Sequence, residues 1–422
     1  MADDRCLWWD TAGGSRLSAE SGLPERADVA VIGGGYTGIS AARTLARNGA
    51  NVVLLEREIL GFGASTRNGG FVLPGYKADI ADLVRRHGVE RAGVLWSFAL
   101  ESVGFVERVI AEEGIGCDYS RCGHLVLAAK PAHLPALEAD ARLLRRLFGY
   151  ETAILGPGDL HQEILTPRYH GALLDAGAGG LHPAKYFHGL AAAALRAGAR
   201  LIEGAGVTGI RRDAAGFEVT TAKGQVRAGE VLIATNGYTG RLTRPLARRV
   251  VPVGSYIIAT PPLEAAVSAR LLPGGRVCSD TKNLLYYFRL TPDRRLLFGG
   301  RASFTPTSVA RSAQILGAGL RTVFPDIAAV PLDYAWGGTV GFTRDLMPHA
   351  GTLEGIHHAL GYGGHGVAMA GYLGHRVGEV LAGRDPWPPL AELGFPVVPL
   401  YRGRPWFLPL VGAYYRMKDW IW

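Results

Sequence analysis

Asp28-Val-Ala-Val-Ile-Gly33-Gly-Gly35-Tyr36-Thr37-Gly38 is the stretch whose reading decides the fold. The apolar run from Asp28 to Ile32 suits a strand buried in a parallel sheet. Gly33 allows the tight turn, Gly35 lets a pyrophosphate approach the backbone, and Gly38 lets a helix pack closely on the strand. The helix expected over Tyr36 to Arg47 offers its first N–H groups and its dipole to phosphate charge. Asn51 to Leu55 reads as the next strand. Glu56 at its end can accept hydrogen bonds from an adenosine ribose. A carboxylate there would repel a 2′-phosphate, so FAD or NAD fits and NADP does not. The plainer alternative is a structural glycine turn, but the two strands, the helix and the acid all stand in the order that dinucleotide binding needs.

Two other stretches separate FAD from NAD. Gly61-Phe-Gly63-Ala64-Ser65-Thr66-Arg67-Asn68-Gly69-Gly70 combines small residues with hydroxyl and guanidinium donors. It suits a loop passing close to a pyrophosphate and a flavin. Far downstream, Gly361-Tyr362-Gly363-Gly364-His365-Gly366-Val367 precedes a helical run to about Leu381. The positive end of that second helix can stabilise an anionic reduced flavin ring. An NAD enzyme has no such need.

These segments resemble the glycine/sarcosine/D-amino-acid oxidase superfamily of FAD enzymes, and most of all its gamma-glutamylputrescine oxidase-like branch. Further matching segments are Gly179-Gly-Leu-His-Pro-Ala184, Ala234-Thr-Asn-Gly-Tyr238, and Trp336-Gly-Gly338 with Thr343 and Asp345. The resemblance runs from about residue 28 to 382. It implies noncovalent FAD held by the two glycine loops, by Gly63 to Gly70 and by Val207, Thr235 and Asn236. It also implies an α/β fold in which a Rossmann-type FAD-binding domain is interleaved with a strand-rich α+β substrate domain. The expected division gives residues 28–80, 178–245 and 335–384 to the FAD domain. Residues 81–177 and 246–334 go to the substrate domain, and 385–422 form a tail rich in proline and aromatics.

Composition agrees with a large enzyme. A chain of 422 residues with 48% hydrophobic content can bury two cores. The formal charge is +8. The arginines are scattered, and no dense basic run is interleaved with aromatics, so nucleic acid is not an expected partner. Four cysteines point to a reducing compartment, and a cytoplasmic location is expected. Cys117, Cys122 and His124 match no common zinc spacing, so no metal is expected. The acidic start lacks the apolar core of a signal peptide. No stretch reaches the ~20 apolar residues of a spanning helix.

The substrate site is expected on a hairpin. Leu284 to Leu290 alternates, Thr291-Pro-Asp-Arg294 is a turn, and Arg295 to Arg301 returns. Period two sets Tyr287 and Arg289 on one face, and Gly299 removes a side chain where a ligand could approach. Arg289 and Arg301 could anchor a carboxylate, or could be ordinary sheet-edge arginines. His365 could tune the flavin or simply bond to backbone. Trp336 could wall the pocket or pack in the core, and His357-His358 reads as a surface pair at a strand end.

By loose alignment with sarcosine oxidases, Leu297 stands where those enzymes carry a lysine serving oxygen. Ala368 stands at a lysine that binds the substrate carboxylate, and Gly338 at the cysteine that links FAD. The resemblance therefore implies oxidation of an amine at its CH–NH bond, with simple glycine or sarcosine disfavoured and either oxygen or another electron acceptor. The open alternatives are an oxidase or dehydrogenase of an N-alkyl or cyclic amino acid, and a flavin-holding subunit without turnover. In the tail, Trp406, Phe407, Tyr414, Tyr415, Trp420 and Trp422 lie among Arg402, Arg404, Arg416 and Lys418. Such a segment can pack on protein, the favoured reading, or touch a membrane surface.

Overall fold

A computed structural model describes residues 4–13, 22–300 and 307–421. Two eight-stranded sheets organise them. The first is built on the strand Arg26–Ile32, which pairs in parallel with Val52–Leu55 on one side and Gly224–Ile233 on the other. Arg200–Ile202 extends it beyond Val52–Leu55, and Ile356–Leu360 beyond Gly224–Ile233, both in parallel. The central strands are apolar and buried where they lie side by side, over Ala30–Ile32, Val52–Leu55 and Val231–Ile233, as a sheet covered on both faces requires. The helix Tyr36–Arg47 crosses from the first strand to the second and lies on this sheet.

The helix Gly366–Leu381 packs along Tyr36–Arg47 through small residues. A Cβ on Gly374 would collide with the backbone of Thr37, and one on Gly378 would stand 2.9 Å from Thr44 Cβ. Close approach aligns the two helices, and the Tyr362 and Thr37 hydroxyls hydrogen-bond at 2.7 Å beside their starts. Pro183–Arg196 starts at proline and covers the same face, where Tyr36 donates to the carbonyl of Pro183 at 2.9 Å.

The second sheet runs in the order Tyr334–Phe342, Val251–Ala259, Leu296–Gly300, Tyr286–Leu290, Val277–Asp280, His124–Leu127, Ala172–Asp175 and Ala153–Leu155. Its own core includes Phe288, Phe298, Phe324, Leu316 and Leu320. Two assignments differ from the sequence expectation, while the tail packs on the protein as the favoured reading expects. The strand Tyr334–Phe342, expected with the FAD domain, pairs along its whole length with Val251–Ala259 in the second sheet. The helix Ile80–Glu113, expected in the substrate domain, buries Leu95, Phe98, Phe105 and Val106 in the core that contains Ile39 and Leu373. The tail is not one appendage. Trp387 and Leu390 join that same core, and Tyr401, Phe407 and Leu408 pack on Val251 and Val253.

Candidate active site

A cavity of about 690 Å³ lies where the two halves meet. At one end Glu56 is held in place by backbone donors. Its carboxylate accepts from Gly34 N at 2.7 Å and from Glu58 N at 2.9 Å, while Val207 and Thr208 form the facing wall. The middle is built from the Gly33 turn, with φ of +109°. Gly35 caps the helix Tyr36–Arg47 without a side chain of its own. A Cβ on Gly38 would run into the carbonyl of Gly33, which explains why only glycine serves there.

The loop Gly63–Gly69 borders the cavity beside this turn, with Ser65 Oγ accepting from Tyr36 N at 2.9 Å. Its anchor was not legible in the sequence. The short helix Leu7–Thr11 puts Trp8 Nε1 on the Asn68 carbonyl and Trp9 Nε1 on Thr66 Oγ, both at 2.7 Å. The Arg67 guanidinium lies 4.3 Å from the Trp9 ring centroid and donates to Gly337 O at 3.1 Å.

The other end is aromatic and contains histidine. Tyr287 packs edge-on to Phe71 at 5.8 Å, and its hydroxyl lies 3.2 Å from Ser255 Oγ. Gly299 makes room for the Tyr287 ring itself. His124 Nε2 lies 2.8 Å from Ser279 Oγ. His365 stands at the start of the helix Gly366–Leu381, after Gly363 and Gly364 at φ of +59° and +102°. Burial pushes the His124 imidazole down to about 4. Burial and then the charge of Lys77 push His365 down to about 3. Both rings are therefore neutral near pH 7. Lys77 also lines the cavity, close to Gly363, and was not singled out by the sequence. It belongs to no motif; the chain turn at Gly75 delivers it.

Most of the residues expected at the cofactor line this one cavity: Gly33, Gly35, Tyr36, Thr37, Glu56, Gly63, Ala64, Ser65, Arg67, Asn68, Gly69, Val207, Thr235, Asn236 and Gly363 to Val367. Gly38, Thr66 and Gly70 stand behind it. Thr66 donates to Gly61 O at 2.6 Å, and Arg289 donates to Gly70 O at 3.3 Å. Tyr287 and His365 face the cavity.

Two of the expected substrate contacts do not. Arg289 shares the face of Tyr287 but is buried, and its guanidinium donates to Leu181 O at 3.0 Å as well as Gly70 O. It clamps the small ladder Phe71–Val72 with Gly179–Gly180 to the second sheet. Trp336 is fully buried against Trp8 and donates to Arg67 O at 2.9 Å. Arg301 lies outside the described residues. His358 is also not a surface residue. Its strand pairs in parallel beside Ile233, and the ring stacks on Phe395 at 5.4 Å.

The fit to a dinucleotide is direct: an acid oriented at one end, and toward the other two glycine-flanked helix starts whose own N-cap residues make no side-chain cap. The model of the family described as FAD dependent oxidoreductase matches residues 28–380. The chain belongs to this family of FAD enzymes. Among similar proteins, the gamma-glutamylputrescine oxidoreductase of Escherichia coli is 35% identical over 398 residues, covering 93% of this chain and 92% of that one. A probable oxidoreductase, OrdL, of Haemophilus influenzae is 36% identical over 386 residues, covering 90% and 88%. Among solved structures, glycine oxidase from Geobacillus kaustophilus superposes with a TM-score of 0.72 at 23% identity, covering 90% of this chain and 99% of that one. The fold is thus that of the glycine-oxidase type, and the protein is an FAD-dependent oxidoreductase with amine and amino-acid oxidoreductases among its relatives.

Proposed function

We propose that this enzyme oxidises the CH–NH bond of a primary or secondary amine, of the glutamylated kind, whose carboxylate lies far from the reacting carbon. The observation that carries the reading is the make-up of the cavity's inner end, where Tyr287, Phe71, His124 and His365 are joined by a single lysine, Lys77. The similarity to gamma-glutamylputrescine oxidoreductase along nearly the whole chain supports the same substrate class.

Bound FAD supplies the two-electron acceptor for hydride leaving the carbon next to nitrogen. The chain's own residues orient, desolvate and set charge. Phe71, Tyr287 and Leu285 give the amine's alkyl chain an apolar wall. Neutral His124 and His365 add no positive charge of their own. Lys77 disfavours a protonated amine nearby and attracts a distal carboxylate, so it takes the anchoring part first considered for Arg289 and Arg301. Leu297 and Ala368, buried behind the cavity, offer no second lysine.

The flavin is held noncovalently in this reading. None of the four reduced cysteines lines the cavity, and Gly338, at the place of the linking cysteine, does. The four free thiols also fit a cytoplasmic enzyme. The test is anaerobic loss of the oxidised-flavin visible band across a panel of amines and amino acids. Glutamylated or simple primary amines should bleach it fastest. Faster bleaching by sarcosine, glycine, proline or pipecolate would replace this reading with that of an amino-acid oxidase or dehydrogenase. No bleaching by any compound would favour a flavin-holding subunit.

A further inference from the structure

The C-terminal helix Leu408–Ile421 is apolar on two opposite sides. Its inner side sets Leu408, Val411 and Tyr415 against Val251, Val253, Leu284 and Phe342. Val253 and Phe342 also line the cavity. Asp419 locks the helix in place, accepting from Asn283 N and Leu284 N at 2.8 Å and from Asn283 Nδ2 at 2.7 Å.

The outer side has no such cover. Leu410, Tyr414 and Met417 are 68%, 55% and 53% exposed and follow one another at helical spacing along one stripe. Trp406 and Trp420, 60% and 85% exposed, stand toward its two ends. Of the nine large apolar side chains left exposed among the described residues, six fall between Leu400 and Trp420. At about 100° per residue, exposed Arg416 stands on one flank of the stripe and exposed Lys418 on the other. Arg402 and Arg404, also exposed, precede the helix. From 393 to 421 the only acid in the sequence is Asp419, and its carboxylate is turned inward.

We propose that this outer stripe is a docking surface for an anionic lipid bilayer, on which the enzyme lies without crossing it. Leucine and methionine would enter the acyl boundary, tryptophan and tyrosine would sit at headgroup level, and the flanking cations would meet lipid phosphates. The helix has 14 residues and is too short to span. No helix among the described residues is long and apolar enough to cross a membrane. Charge decides against a second copy. A two-fold contact through this stripe would set arginines and lysines of one copy beside those of the other, with no exposed acid in the segment to pair them. The inference is independent of which amine is oxidised.

The test is co-sedimentation of the flavin-loaded enzyme with vesicles of phosphatidylcholine alone and of phosphatidylcholine with phosphatidylglycerol. Binding should require the anionic lipid and weaken with salt. Leu410→Ser with Met417→Ser should abolish most of it. Arg416→Gln with Lys418→Gln, which leaves the apolar stripe untouched, should lower partitioning about 25-fold, at about fivefold per cation. Flavin content and turnover should be unchanged in the second pair. Equal sedimentation with both vesicle types, or none with either, would overturn the proposal. So would self-association of the wild type that the Leu410/Met417 variant abolishes, or retention by an acidic protein in place of lipid.

Discussion

Replacing Gly374 by alanine should loosen the joint that aligns the two helix starts at the FAD site. A Cβ at that position would lie 2.9 Å from the carbonyl carbon of Thr37 and 3.0 Å from its Cα, and nearer still to the carbonyl oxygen. All three atoms are backbone, so none can rotate away. Gly371, one turn earlier on the same helix, gives the matched control. Its Cβ would meet Phe105 Cε1 at 3.6 Å and Tyr186 Oη at 3.7 Å, which is ordinary contact. Alanine is favoured over glycine in a helix interior by about 1 kcal/mol, and forcing atoms into a packed core costs about 1–3 kcal/mol. Gly371→Ala should therefore be neutral or stabilising by up to about 1 kcal/mol. An unyielding backbone puts Gly374→Ala near the upper end of the penalty, a net loss of about 2 kcal/mol. Thr37 lies in the first turn of the helix that offers its N–H groups to phosphate, so FAD affinity should fall as well. The assays are thermal unfolding of both variants and fluorescence titration of flavin-stripped protein with FAD. If Gly374→Ala matched Gly371→Ala in melting temperature and in FAD dissociation constant, the packing argument would be wrong.

Glu56→Gln keeps the shape of the ribose acceptor but removes its charge. A hydrogen bond to a charged group contributes roughly 1.5–3 kcal/mol, so the FAD dissociation constant should rise on the order of tenfold or more in the same titration. Lys77→Met should raise the amine concentration giving half-maximal flavin reduction while leaving FAD content unchanged. Arg289→Met should instead lower the melting temperature, because it removes the guanidinium donor from the carbonyl of Leu181 and one of the two donors from that of Gly70; a selective effect on substrate would contradict the clamp. Thermal stability should fall as pH drops below about 6.5. His124, His182 and His375 sit at about 4, and His358 and His365 at about 3, so below their ordinary value of 6.5 the unfolded chain takes up protons that the folded chain refuses. Above that window the rings are neutral in both folded and unfolded chains, and the difference vanishes. A melting temperature flat from pH 7.5 to 5, or an unaltered slope in His124→Gln, would count against this account.

The parts legible in the sequence are those with local causes. The fingerprint helix begins at Tyr36 and ends at Arg47 as expected, because the glycines before it and Asn48-Gly49 after it fix both ends within a few residues. The helical run to Leu381 follows the same logic. The long-range choices were not legible. Alternation correctly put Tyr287 and Arg289 on one face, yet only one of them reaches the cavity. What separates them is the ladder of Phe71–Val72 with Gly179–Gly180, which comes from two remote segments and takes up the arginine's donors. The Trp8–Trp9 clamp likewise depends on a contact between residues about 60 positions apart.

That division of labour explains why the cofactor is easier to read than the substrate. FAD is recognised mainly through backbone: a turn, two helix starts and close glycine packing, each with a sequence signature. In the proposed reading the amine is met by side chains of Phe71, Lys77, His124, Ser279 and Tyr287, which line the cavity from different elements and share no spacing. Substitution at those positions should leave the FAD scaffold intact, which would let one fold accept different amines. It follows that Lys77, and not the glycine loops, is where a change of substrate should first appear. Lys77→Glu tests this directly. It should weaken the reduction of carboxylate-bearing amines far more than that of uncharged ones, with flavin content unaltered. An equal loss for both classes would place the anchor elsewhere in the cavity.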